Sequence, residues 1–113
     1  MNKGKVVLLT FPLDDLSTTK VRPAICLTDP IGPYRHIVVA FITSQIPPDL
    51  SNTDVVLDPT HADFIRTGLH VSSTLRLHRL VTVTTRIIQR QLGELSPARQ
   101  AEVATKLRLV FDL

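Results

Sequence analysis

The apolar positions fall in short runs separated by polar or proline-rich breaks. Lys5 to Phe11 (KVVLLTF) is β-branched, apolar and too short for a helix, which predicts a first strand that Pro12 ends. Leu13 to Thr19 carries two aspartates, a serine and two threonines, the composition of a polar loop. Val21 to Thr28 reads as a second strand. It sends Val21, Ile25 and Leu27 to one side and Arg22, Ala24 and Cys26 to the other. Asp29-Pro30-Ile31-Gly32-Pro33 is a dense turn signal. Beyond it, Ile37 to Thr43 is apolar without alternation, the pattern of a central strand buried on both faces. A turn of this length makes strands two and three an antiparallel pair.

Pro47-Pro48-Asp49 breaks the sheet, and Asp54 to Asp58 predicts a short edge strand. Pro59 to Thr67 has room for one helical turn closed by Gly68. Val71 to Leu80 (VSSTLRLHRL) is the next expected strand, with Leu75, Leu77 and Arg79 on one face and Arg76, His78 and Leu80 on the other. A short helix within Thr82 to Gln91, stopped near Gly93, and a small strand from Leu92 to Leu95 are expected after it. Ser96-Pro97 then marks a helix start, serine as N-cap and proline in the first turn. Val103, Leu107, Val110 and Phe111 recur at helical spacing, with Arg99, Glu102 and Lys106 expected on the opposite side. The fold class is α+β, mostly antiparallel: a small, strongly curved, barrel-like sheet with a C-terminal helix.

Composition narrows the function more than the fold. A chain of 113 residues that is 43% hydrophobic makes one domain, 1–113, with a proper core. At this size pairing into a dimer adds useful burial. The net charge is only +3, but the pI near 9.5 gives a basic bias that suits a polyanion or an acidic partner. An ordinary globular domain can carry the same thirteen Lys and Arg. Cys26, the only cysteine, lies in an apolar run and is expected as a small buried residue. The chain has no signal-peptide pattern and no bilayer-spanning apolar stretch, so a cytoplasmic location without membrane attachment is expected. His36, His61 and His70 are scattered at spacings unlike a zinc site. There is no glycine-rich phosphate loop and no cysteine–histidine pair. No metal and no cofactor is expected.

The candidate chemistry centres on Lys20-Val21-Arg22-Pro23. Pro23 fixes its own φ and holds Arg22 extended at the lip of a strand, where a guanidinium can grip a phosphate through two parallel hydrogen bonds. The third strand ends in Thr43-Ser44-Gln45, so pairing of strands two and three would bring hydroxyls to the same edge. The later strand offers Arg76, His78 and Arg79. Plainer readings stand beside these. Arg22 can be a solvated strand-end cation paired with Asp14 or Asp15, Thr43 and Ser44 ordinary strand-end hydroxyls, and His78 one member of a polar sheet face.

In order along the chain stand Phe11-Pro12, Lys20-x-Arg22-Pro23-Ala24, Phe41-Ile42-Thr43-Ser44-Gln45, Thr67-Gly68-Leu69, the run Leu75 to Leu80, and Leu92-Gly93-x-Leu95-Ser96. This ordered set resembles the MazF/PemK family of bacterial toxins over nearly the whole chain. The resemblance implies an SH3-like barrel of the MazF/PemK/CcdB kind, usually a homodimer. It implies a metal-independent endoribonuclease that cuts single-stranded RNA at short sequences and is restrained by a cognate antitoxin with an extended, often acidic tail. It assigns Arg22 and Thr43 to the active site, with Ser44 beside them. Some members add an acidic residue and an arginine on the later strand; here that strand holds Arg76, His78 and Arg79 and no carboxylate.

Metal-free RNA cleavage needs a base for the 2′-OH, a cation for the charged phosphorane and an acid for the leaving 5′-oxygen. Arg22 fits the cation. Thr43 positions the phosphate or the 2′-OH. His78 is the candidate base or acid, being the side-chain type that ordinarily titrates near neutrality. Lys20, Ser44, Gln45, Arg76 and Arg79 are the candidate RNA-binding set. Aromatic content of 4% makes a base-stacking platform improbable, so RNA would be held by its backbone and read by the loops Leu13–Thr19 and Pro47–Thr53. Two other readings remain: a catalytically inactive family member, and a CcdB-like toxin that poisons DNA gyrase by protein contact through Val110 to Leu113.

Overall fold

The computed structural model describes residues 2–12 and 19–113, the side chains at positions 11, 12, 19 and 20 excepted. Six strands and one helix follow one another as β1 (Lys5–Pro12), β2 (Thr19–Cys26), β3 (His36–Thr43), β4 (Asp54–Leu57), β5 (Ser73–Thr84), β6 (Ile88–Glu94) and α1 (Pro97–Phe111). They form a single antiparallel sheet in the order β4-β5-β3-β2-β1-β6. The unbroken apolar run of β3 makes it a central strand, buried on both faces as its lack of alternation predicts. The short β4 is at an edge.

The sheet has to curl. β5 and β6 are joined only by the 3-10 turn Thr85–Ile87, yet three strands lie between them in the sheet. Laid flat, four inter-strand spacings would separate them by about 19 Å, beyond the roughly 6–8 Å that three residues of 3-10 helix bridge. Curling brings Val83, Ile87 and Ile88 onto the same apolar cluster as Val7 and Leu9 of β1, Ala24 and Cys26 of β2, and Ile37 and Val39 of β3. Register shifts between β1 and β6 supply part of the twist. Burial pushes the Cys26 thiol above its ordinary value, as befits a small core residue.

The other face of the sheet packs under α1. Val6, Ile25, Ala40, Ile42, Val55, Leu75, Leu77 and Leu95 form its core, and Val103, Leu107 and Val110 of the helix close it. The Ser96 hydroxyl caps the helix by accepting from the Arg99 amide at 3.2 Å, and it donates to Asp63 at 2.7 Å. Thr67 to Leu69 and Leu92-Gly93 meet face to face: a Cβ on Gly93 would stand 2.1 Å from the Arg66 carbonyl oxygen, and one on Gly68 2.1 Å from that of Leu92. Gly68 also has φ +74°, the left-handed cap expected after the 3-10 turn Phe64–Thr67.

Several expectations are corrected. The helix expected within 82–91 is only that one 3-10 turn, because β5 runs on to Thr84 and β6 begins at Ile88. Phe111 is exposed, although Val110 beside it packs on the core. Arg99, Glu102 and Lys106 are not a solvated back face. They lie half-buried on a flank, where Arg99 pairs with Asp63 and Glu102, and Lys106 pairs with Glu102 and donates to the Asp54 carbonyl. Leu80 leaves the face of Arg76 and joins Leu77 on the α1 side, because β5 is bulged between them. The loop Leu13–Thr19, apart from Thr19, lies outside the described residues.

Two stability predictions arise here. Thr74 Oγ1 is fully buried with no hydrogen-bond partner among the described residues. Thr74→Val, which keeps the shape and removes the orphan hydroxyl, is expected to raise stability by about 1 kcal/mol, read from the urea midpoint. The Ser96 hydroxyl and Arg99 hold the Asp63 carboxyl below the usual range, and Lys5 with Arg66 does the same for Glu94. Folded-state values below the unfolded ones stabilise the protein above the ordinary carboxylate range and lose that contribution as pH falls through the lowered values. Unfolding midpoints measured from pH 7 into the acid range should therefore fall, and Asp63→Asn with Glu94→Gln should flatten that fall.

Candidate nucleic-acid interface

Arg22 projects from the same face of β2 as buried Ala24 and Cys26, but at the exposed end of the strand. Ala24 stands opposite Phe41 of β3, and the ladder stops there because Pro23 has no N–H to donate. Carried on by two residues, the same register sets Arg22 against Thr43. Thr43 in turn faces Thr74 of β5. Directly opposed residues of an antiparallel pair share a face, about 4.5–5.5 Å apart at Cβ. Arg22, Thr43 and Thr74 thus form one row across three strands, where the inner apolar face gives way to a polar rim.

Thr43 is half-buried, and its hydroxyl accepts from the Gln45 amide at 3.3 Å, which leaves the hydroxyl proton free to donate. Ser44 and Gln45 follow in an exposed bend. The side chain of Lys20 lies outside the described residues.

β5 brings its polar residues to this rim through its irregularity. Ala40 pairs with Leu80 and Ile42 with Leu75, so the four residues 76–79 face the single residue Phe41. In a regular strand His78 would lie about 13 Å beyond Thr74. The bulge instead returns it to the level of Phe41, two residues from Thr43. His78 and Arg79 are exposed there.

The sequence reading finds no carboxylate on this strand; the structure supplies one from its neighbour. Asp54 of β4 pairs with Arg76 across the ladder. Its side chain is only 1% exposed, it accepts from Arg76 Nε at 3.3 Å and from the Ser51 amide at 3.0 Å, and it lies 3.9 Å from His78 Nδ1. Arg76, 16% exposed, also reaches Asp49 at 3.5 Å. Asp54 was legible as a strand residue, but its partner was not, because 22 residues separate it from Arg76. Among the described residues no three histidine, cysteine, aspartate or glutamate side chains gather as a metal-holding group. Among the described residues no helix is long and apolar enough to cross a membrane.

A profile of the PemK-like, MazF-like toxins of type II toxin–antitoxin systems matches residues 2–111. The chain belongs to this family. No curated protein sequence matches this PemK/MazF-family toxin, but solved structures share its fold. Toxin MazF-mt6 of Mycobacterium tuberculosis superposes with a TM-score of 0.67 at 24% identity, over 95% of this chain and 97% of its own. MazE-MazF of Deinococcus radiodurans gives 0.74 at 22% identity, over 100% and 96%. An endoribonuclease in complex with its cognate antitoxin, from a mycobacterial species, gives 0.71 at 19% identity, over 100% and 96%. The expected α+β fold with an antiparallel sheet and a C-terminal helix is thus the fold of this toxin.

Proposed function

We propose that this toxin is a metal-independent endoribonuclease that cuts single-stranded RNA by attack of a 2′-OH on the adjacent phosphate. The observation that carries the reading is the register that aligns Arg22 with Thr43 on an open rim, in a chain of this family. The 2′-oxygen forms a bond to phosphorus and the bond from phosphorus to the 5′-oxygen breaks. The fork of Arg22 neutralises the two equatorial oxygens as charge builds on them. The Thr43 hydroxyl donates to the phosphate or orients the 2′-OH. His78 takes the 2′-proton or returns one to the 5′-oxygen. Lys20, Ser44, Gln45, Arg76 and Arg79 hold the RNA backbone along the rim.

The same reading includes a homodimer, a cytoplasmic location and a cognate antitoxin whose acidic extended segment covers the basic rim. Two of the structural relatives were solved as complexes: MazE-MazF of Deinococcus radiodurans, and an endoribonuclease with its cognate antitoxin. A second reading, toxicity by protein contact, is favoured by the exposed Leu109, Phe111 and Leu113 at the end of the chain. Expression of the chain, followed by parallel analysis of RNA and DNA, separates the two. Growth arrest with fragmented RNA supports the nuclease; arrest with intact RNA and damaged DNA supports the contact toxin.

A further inference from the structure

Among the described residues, Asp54 is the one carboxylate buried beside the candidate site, and the mechanism above does not use it. A buried carboxylate is costly unless it is bonded on several sides. Here the Ser51 amide occupies one oxygen, while the other meets Arg76 Nε and faces His78 Nδ1. Lys106 fixes the backbone of the same residue by donating to its carbonyl at 2.6 Å. The carboxylate is therefore held from the loop and the sheet, its backbone from the helix, and two rim side chains converge on one of its oxygens.

We infer that Asp54 is a positioning residue: it holds the Arg76 guanidinium in place and sets the His78 imidazole with Nδ1 inward and Nε2 toward the RNA. This rests on the nuclease reading for its catalytic consequence, but not for its geometry. At 3.9 Å the imidazole and the carboxylate are just beyond hydrogen-bonding distance. His78 is 48% exposed, so a side-chain swing of about 1 Å closes the contact in the free protein. A neutral imidazole that donates from Nδ1 keeps its lone pair on Nε2, the atom free to accept the 2′-proton. The carboxylate also steadies the imidazolium that forms once the proton has moved. β4 thereby provides, from across the ladder, the acidic group that β5 itself lacks.

Nitrogen-resolved NMR of the imidazole in the unmodified protein, at alkaline pH where imidazoles are neutral, tests the geometry without any need for cleavage. The expected result is the Nδ1–H tautomer at His78, shifting toward Nε2–H in Asp54→Asn. An Nε2–H tautomer in the unmodified protein overturns the inference. Kinetics on a defined RNA in EDTA test the consequence. Asp54→Asn keeps an oxygen for the Ser51 amide and removes the charge, so kcat should fall between about 10- and 100-fold through His78, while the release of Arg76 raises KM. In a His78→Gln background the same change should cost no further kcat. An unchanged kcat, or equal losses in both backgrounds, overturns the positioning role. If the unmodified protein cuts no RNA, the nuclease reading fails, while the tautomer still decides whether Asp54 sets His78. If Asp54→Asn does not fold, the tautomer of the unmodified protein decides alone.

Discussion

Arg22→Ala is expected to slow RNA cleavage by about 10²–10³-fold, the usual effect of removing one preorganised donor from a developing charge. Its unfolding free energy should stay within about 0.5 kcal/mol of the unmodified protein, as for surface substitutions generally. The contrast between the two effects is what identifies a functional arginine. Arg22 is exposed, so truncating it opens no cavity. Its backbone is fixed by Pro23 behind it and by pairing with Leu9 of β1. Arg22→Lys should recover only part of the lost rate, because an ammonium keeps the charge and loses the two-pronged geometry. Steady-state cleavage of one oligonucleotide and urea melts of the same preparations measure both quantities. A full rate in Arg22→Ala would place the chemistry elsewhere.

Gly93→Ala is expected to be among the most damaging small substitutions in the fold. The added methyl would meet the Arg66 carbonyl oxygen at 2.1 Å and the Thr67 carbonyl carbon at 2.5 Å, both backbone atoms that cannot step aside alone. Relief requires the 3-10 turn to lift off β6, which also strains the Lys5–Glu94–Arg66 ion pairs beside it. Overpacking of this kind costs about 3 kcal/mol or more, a large share of a domain's total stability of about 5–15 kcal/mol. A thermal midpoint lowered by about 10 °C or more is expected. A midpoint unchanged in Gly93→Ala would mean that the two glycines do not pack against each other.

The elements that the sequence made legible are those whose signals are local. β3 announced itself by an apolar run without alternation, α1 by Ser96-Pro97, and the end of the 3-10 turn by Gly68. The ordered motifs identified the family, although none of them explains itself. Gly68 and Gly93 look like separate turn signals until the chain folds and each is found against the backbone just before the other, Leu92 for Gly68 and Arg66 with Thr67 for Gly93.

What stayed hidden depends on pairing between distant segments. The alternation of Leu75, Leu77, His78 and Leu80 gives no sign of where a bulge falls, so the face of Leu80 was misassigned. β6 has only Ile88 and Leu92 as apolar side chains, because an edge strand needs just one buried stripe; its first half therefore reads as part of a helix, and only Leu92 to Leu95 reads as strand. Asp54 was invisible as a site residue for the same reason. Its importance lies in the ladder that sets it beside Arg76, and a ladder between β4 and β5 has no local signature. The alignment of Arg22 with Thr43 was a conjecture from strand order, and the observed β2–β3 register is the one it requires.

In the proposed reaction a 2′-oxygen displaces a 5′-oxygen at a phosphate gripped by Arg22. Mapping both new ends of a defined RNA cut by the purified protein in EDTA tests this most directly. The account predicts a 2′,3′-cyclic phosphate on one fragment and a 5′-hydroxyl on the other, with no cut by Arg22→Ala. A 5′-phosphate with a free 3′-hydroxyl, or cleavage that stops when divalent metal is removed, would contradict it.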